Sequence, residues 1–421
     1  MIHDFPYTDF DSLHIPESCR VALYTLQAQS PEKSDEQIVQ DALRCPIGCG
    51  SLREEVKPGM RVTIAVDDSS RTTRTDIMLP LVLDELREAG VSRDCITILI
   101  ALGTHRPMTL DEMAPKYTPE VVVEYKIVNP NWKDKRSYKE VGLSSRGCPI
   151  RVHTEISDAD YVIGVGQTIA HMIAGFGGGG KIIVPGCADG DTVGEVHWLS
   201  NEVPEGKLYA QRENVVRGAI DEFAMKAGLK FIINDVPHAD GHHIAGAFAG
   251  HPILAHKAAC EAVLKLCEVK IQEKADIVVA DAYPADLDFW QALKGMNVAY
   301  SAVRDGGTVI LVSPCPEGAS SQHEELTTVG YIRKEQVRRM VEQGKLDKCI
   351  GGNLFLGAQL LDRAQAILVT KGISEDETRA MGFIWAPDPA SALEMALNRH
   401  GRSASVNLLY KASKMICTLK N

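Results

Sequence analysis

The sequence predicts an α/β protein of two domains, each with a largely parallel sheet flanked by helices. Three observations carry that prediction. The chain has 421 residues, more than one ordinary hydrophobic core supports. Short apolar runs recur along it, each closing on polar residues or glycine. Segments of helical periodicity stand between those runs, and strand–helix–strand order implies parallel pairing.

The elements follow in order. "KSDEQIVQDALR" (33–44) is an amphipathic helix that ends at Cys45-Pro46. "RVTIAVDD" (61–68) is a buried strand closing on two aspartates. "DIMLPLVLDELREAG" (76–90) has helical spacing and a glycine stop, and "CITILIALG" (95–103) completes a first βαβ unit. "ADYVIGVG" (159–166) and "LKFIINDV" (229–236) are further strands. The charged stretch "EVKIQEKAD" (268–276) separates this series from a second one. There a strand and loop (277–286), a helix running through 303, a strand (307–314), a helical segment (333–344) and a strand (364–372) succeed one another. The expected domains are residues 1–268 and 276–421, with the last segment able to pack back on the first domain.

Composition is that of a globular protein, 45% hydrophobic and 24% charged. A net charge of -11 leaves no basic surplus to neutralise phosphates, which argues against nucleic-acid binding. "MIHDFPYTDFDSLHIPESCR" lacks the basic and apolar regions of a signal peptide. No apolar run approaches the roughly 18–20 residues of a membrane span. The 11 cysteines are scattered, and the closest pair, Cys45 and Cys49, has no second Cys/His pair nearby, so neither zinc nor iron–sulfur is expected. Reduced thiols and a cytoplasmic setting are the expectation.

In open parallel sheets, ligands bind at the carboxyl ends of strands. Four exits here are loaded with polar groups: "DDSSRTTRTD" from 67, "GTHRPMT" from 103, "GQTIAHMIAGFGGGGK" from 166 and "DAYPADLDFWQALKG" from 281. The third matches a P-loop from Gly175 to Lys181, but Ile182 stands where Ser or Thr should hold magnesium, and no strand runs directly into Gly175. What survives is physical. Gly177, Gly178, Gly179 and Gly180 can expose backbone N–H groups to a closely approaching ligand such as a phosphate, or can simply make a flexible or tightly packed loop. Lys181 beside them is either a counter-charge or a nucleophile that links covalently to a cofactor. His105, His171 and His197 lie near the same exits. Imidazole titrates near neutrality, so two of them suit general acid and base, and the third suits a metal such as Zn, Cu, Fe or Ni. His242 and His243 read as surface or core residues.

With these residues in hand, the sequence resembles the lactate racemase family, the nickel-pincer nucleotide enzymes. "PIG" (46–48), "VDDSSR" (66–71), "GTHR" (103–106), "HMIAGFGGGGKIIVPG" (171–186), "HW" (197–198) and "WQALK" (290–294) fall in the family's order across most of the chain. The resemblance implies a racemase or epimerase that inverts C2 of a 2-hydroxy acid by reversible hydride transfer, in a cleft between the two domains. It implies a nickel-pincer nucleotide held covalently on Lys181 through a thioamide, with nickel on His197. Asp68 and the four glycines fall with the cofactor. His105 and His171 match the catalytic acid/base pair. Arg71, Trp290, Gln291 and Lys294 match substrate-contacting positions. Enzymes that make the cofactor would be partners.

Two departures concern substrate. The pattern around Arg71 usually continues Thr-Arg-Pro, and here it is Ser70-Arg71-Thr72. Trp290 stands where a smaller aromatic is expected. Lactate or another short, aromatic, dicarboxylic or sugar-derived 2-hydroxy acid fits. The alternatives are a nucleotide- or phosphate-binding protein without catalysis, and a dehydrogenase-like oxidoreductase; the latter needs a G-x-G-x-x-G that neither early strand exit offers.

Overall fold

The computed structural model describes residues 1–27, 32–204 and 206–420. The chain forms two compact units: Ala28–Val203 with Lys207–Lys265, and Leu266–Asn421 with Met1–Gln27 and Pro204–Gly206. Among the described residues, no helix is long and apolar enough to cross a membrane.

The first unit is a six-stranded sheet in the order Ile244–Gly250, Leu229–Pro237, Tyr161–Gln167, Val62–Val66, Ile96–Ile100, Lys126–Val128. All neighbours are parallel except the edge pair Ile244–Gly250 and Leu229–Pro237, which is antiparallel. The four strands read from the sequence are present. The central strand Val62–Val66 is buried at every position, as a strand covered on both faces must be. Helix Asp35–Arg44 starts at a capping box, with Ser34 Oγ accepting from Gln37 N–H and the Gln37 side chain accepting from Ser34 N–H. Helix Thr75–Glu88 packs Met78, Leu79, Val82, Leu83 and Leu86 into the core beside the sheet's Ile64, Ile98 and Ile163.

From Val62–Val66 the chain crosses to Ile96–Ile100 and Lys126–Val128 on one side, then returns to Tyr161–Gln167 on the other. The topological switch point therefore lies between the exits at Asp67 and Thr168, where such sheets open a crevice.

The second unit holds a six-stranded sheet that is parallel throughout: Ile384–Ala386, Gln365–Val369, Val303–Val312, Ala275–Asp281, Ser405–Leu409, Arg20–Tyr24. Two expectations need correcting. Residues 1–27 were assigned to the first domain, yet strand Arg20–Tyr24 pairs with Ser405–Leu409, and Phe5, Phe10, Leu13 and Ile15 enter the core of this second unit. The last segment pairs inside the second unit. Ile416–Leu419 pairs in parallel with Glu268–Ile271, a strand inside the stretch read as a boundary. Both pairings are non-local and leave no local periodicity to read.

Candidate active site

The exit of Val62–Val66 turns sharply through Asp67, Asp68, Ser70 and Arg71. Asp68 Oδ1 accepts from Ser70 N–H at 3.1 Å and from its hydroxyl at 2.6 Å. Asp68 Oδ2 lies 2.6 Å from His105 Nδ1, which arrives from the exit of Ile96–Ile100. Burial alone would raise the Asp68 carboxyl; His105, Arg71 and Ser70 outweigh it and hold the group well below the usual carboxylate range. An ionised Asp68 makes His105 Nδ1 a donor, so Nε2 is the nitrogen able to take a proton. The sequence placed Asp68 with a cofactor, and its carboxylate also lies against His105 Nδ1. Arg71 Nη1 donates to Ser70 Oγ at 2.9 Å, which fixes the guanidinium beside this pair.

Below the turn, Asp67 accepts from Thr73 Oγ1 at 2.6 Å and from Gln167 N–H at 3.0 Å, joining the exits on both sides of the switch point. Burial pushes the Asp67 carboxyl up and Asp235 up to about 7. Lys116 Nζ donates to the carbonyls of Arg71 and Thr73, at 2.7 and 2.9 Å, and so pins the turn from beneath.

The exit of Tyr161–Gln167 carries His171 and Lys181. A short hairpin pairs Ala170–His171 with Gly175–Phe176. His171 Nδ1 accepts from Ile173 N–H at 3.1 Å and Ala174 N–H at 3.3 Å, and His171 Nε2 lies 3.1 Å from Lys181 Nζ. Burial, then Arg71 and Arg217, lower Lys181 to about 7 against the partial opposition of Asp67. Arg71 thus couples the His105 group to the His171–Lys181 group electrostatically. Lys181 itself sits in a 3-10 turn, Gly179–Ile182, that fixes its backbone.

The glycine run is held tightly. Arg217 donates to the carbonyls of Phe176 and Gly178, the latter at 3.2 Å, and His256 Nε2 donates to Gly177 O at 2.8 Å. Gly177 N–H is spent on Ile169 O, and Gly179 N–H on Asn234 Oδ1 at 2.7 Å. A Cβ at Gly178 would come within 2.5 Å of Thr168 Oγ1, and one at Gly179 within 2.7 Å of His256 Cγ. At these two positions glycine is required by protein crowding and by positive φ, at +73° and +60°. Arg217, His256 and Asn234 escaped the sequence reading. Arg217 and His256 reach the loop from helices remote in sequence, though Asn234 and Asp235, polar inside an apolar strand, were a legible signal.

His197 lies buried in the last turn of helix Gly190–Trp198, whose start is capped by Asp189 accepting from Thr192 N–H. Among the described residues, no group of three or more His, Cys, Asp or Glu is placed to hold a metal. Lys181 offers an amine shifted toward its neutral, nucleophilic form on a short 3-10 turn.

In the second unit, "WQALK" opens helix Phe289–Ala302 after the exit of Ala275–Asp281. Asp288 caps it by accepting from Gln291 N–H. Gln291 Oε1 accepts from Lys294 Nζ at 2.6 Å. Trp290 stacks on His323, ring centroids 4.1 Å apart and planes 17° from parallel. His323 was missed in the sequence, because nothing local pairs it with Trp290.

Comparison with known proteins extends this picture. The lactate racemase N-terminal domain matches residues 8–207, and the lactate racemase C-terminal domain matches residues 270–416. The lactate racemase of Lactiplantibacillus plantarum is 30% identical over 386 residues, 89% of each chain. That of Thermoanaerobacterium thermosaccharolyticum is 28% identical over 391 residues, again 89% of each. The structure of the latter organism's lactate racemase apoprotein superimposes with a TM-score of 0.87 at 26% identity, covering 99% of this chain and 100% of that one. These likenesses run through both units and every strand exit described above, and they make the chain an isomerase of the racemase class. It belongs to the lactate racemase family.

Proposed function

We propose that the chain inverts C2 of a 2-hydroxy acid, lactate or a close analogue, using a nickel-pincer nucleotide. The observation that carries this reading is the half-buried Lys181, whose amine lies 3.1 Å from His171 and is lowered to about 7. Lys181 and His197 are the residues that would hold the group, which when bound supplies a reversible hydride acceptor and so spares the C2–H from removal as a bare proton.

The chain's own residues supply the rest. His105, with Nδ1 fixed by Asp68, takes the substrate hydroxyl proton at Nε2, and the carboxylate stabilises the imidazolium that results. His171 handles the proton for the opposite face. Arg71 suits the substrate carboxylate, since a guanidinium binds it bidentately without reacting. Gln291, Lys294 and Trp290 are assigned substrate contacts by the family pattern, and the Trp290–His323 stack supports a flat apolar wall there. The cofactor-making enzymes are then obligate partners.

The test is to produce the protein alongside cofactor-synthesis enzymes, map adducts by peptide mass spectrometry, measure nickel, and screen 2-hydroxy acids by chiral chromatography. An adduct on Lys181 with nickel and racemisation is the expected result. Unmodified Lys181 without nickel, under conditions that load a relative, overturns the proposal.

A further inference from the structure

We infer that Arg217 is a positioning residue for Lys181: it holds the backbone of the lysine through the carbonyl oxygen of Gly178 and so keeps the amine ready to react. This rests on the proposed role of Lys181 as the covalent anchor. The two residues meet at one atom. Gly178 O accepts from Lys181 N–H at 3.3 Å and from Arg217 Nη1 at 3.2 Å. Arg217 Nη2 donates to Phe176 O, so one guanidinium spans two of the carbonyls that lead into the turn. The turn itself, Gly179–Ile182, is a short piece of 3-10 helix, whose hydrogen-bond geometry is poor and holds weakly unaided. Helix Val215–Lys226 lies directly against it. A Cβ at Gly180 would stand 2.8 Å from Ala224 Cβ and 3.2 Å from Ile220 O.

Packing alone does not call for a charge here. His256 grips the intervening carbonyl, of Gly177, as a neutral imidazole, its charged form suppressed by burial and then by Arg217. Cys260, with Sγ 3.4 Å from His256 Nε2, is kept a neutral thiol by burial, pushed up to about 12. Arg217 is itself buried, and its Nε meets no acceptor among the described residues. Its counter-ion, Asp221, stands 3.6 Å away, one helical turn on. A buried guanidinium with so loose a partner costs stability that a neutral amide donor would not. What the charge faces accounts for it. Around the Lys181 amine stand His171 at 3.1 Å, Arg71 from the first exit, Asp67 beneath and Arg217. Burial, Arg71 and Arg217 disfavour the ammonium and Asp67 favours it, with the balance at about 7.

The test uses the full chain made without cofactor-synthesis enzymes. N-hydroxysuccinimidyl acetate transfers its acetyl group to an amine, and N-hydroxysuccinimide leaves with one amine proton. Labelling of Lys181 is followed across pH by peptide mass spectrometry, with exposed Lys274 as the internal reference. Exchange of the Lys181 amide proton is followed by hydrogen–deuterium exchange. The wild-type midpoint should lie near 7. Arg217→Gln drops the charge, and should raise the midpoint by about one pH unit and slow labelling at pH 7 about fivefold. It should also speed exchange of the Lys181 amide about tenfold, because Gly178 O is less firmly held. Arg217→Lys keeps the charge but not the fork, so the midpoint should stay within about half a unit of wild type while amide exchange still rises. Asp221→Asn removes the counter-ion and should lower Tm without raising the midpoint. A midpoint and an exchange rate unchanged in Arg217→Gln, or a midpoint raised as far by Asp221→Asn, would overturn the inference. Should Arg217→Gln fail to fold, unchanged amide exchange in Arg217→Lys would overturn it equally. A missing nickel adduct would strike the proposed function and leave these apoprotein measurements standing.

Discussion

At the scale of single residues, the site depends on groups that hold other groups. Asp68 fixes which nitrogen of His105 carries the proton. Asp68→Asn keeps the shape and removes the charge, so the wrong tautomer competes and the imidazolium loses its partner. We expect kcat for racemisation to fall by about 10²–10⁴-fold with KM changed little, and the loss to appear in both directions of the reaction. A near-normal kcat would mean that Asp68 serves the turn alone. The places of His105, His171, Lys181 and Arg71 at strand exits were legible in the sequence because each follows an apolar run that had to be a strand. The role of Asp68 was not, because it is defined by a contact between residues 37 apart in the chain.

At the scale of elements, the glycine-rich loop is a packed part rather than a loose one. Three successive carbonyls, of Phe176, Gly177 and Gly178, are gripped by Arg217 and His256 from two helices. This separates glycines that look alike in sequence. At Gly177 an added Cβ meets nothing closer than 3.4 Å, whereas at Gly179 it meets His256 Cγ at 2.7 Å with φ of +60°. Gly177→Ala should therefore cost under about 1 kcal/mol, and Gly179→Ala about 2–4 kcal/mol, in urea unfolding. Equal costs would count against the packing account. The sequence offered both a ligand cradle and a packed loop. Packing by itself accounts for glycine at Gly178 and Gly179, and no local pattern encodes which helix lies beneath.

At the scale of the whole molecule, the N-terminus belongs to the second unit. Strand Arg20–Tyr24 covers Ser405–Leu409, whose five residues are all buried. Removing residues 2–24 should expose that strand as a hydrophobic edge and cause aggregation or a lowered Tm, read by light scattering and thermal melting. A soluble protein with an unchanged Tm would show that the strand is dispensable.

The sequence by itself determined the alternation of strands and helices, the parallel sheets, and the residues that crowd the strand exits. Those follow from periodicity and from the rule that buried strands are apolar and end where polar chemistry begins. Only the tertiary structure decided that residues 1–27 join the second sheet, that His171 Nε2 meets Lys181, and that Trp290 stacks on His323. Each depends on partners brought together by pairing or packing over long separations, and a linear pattern carries no energy term for a neighbour it cannot name.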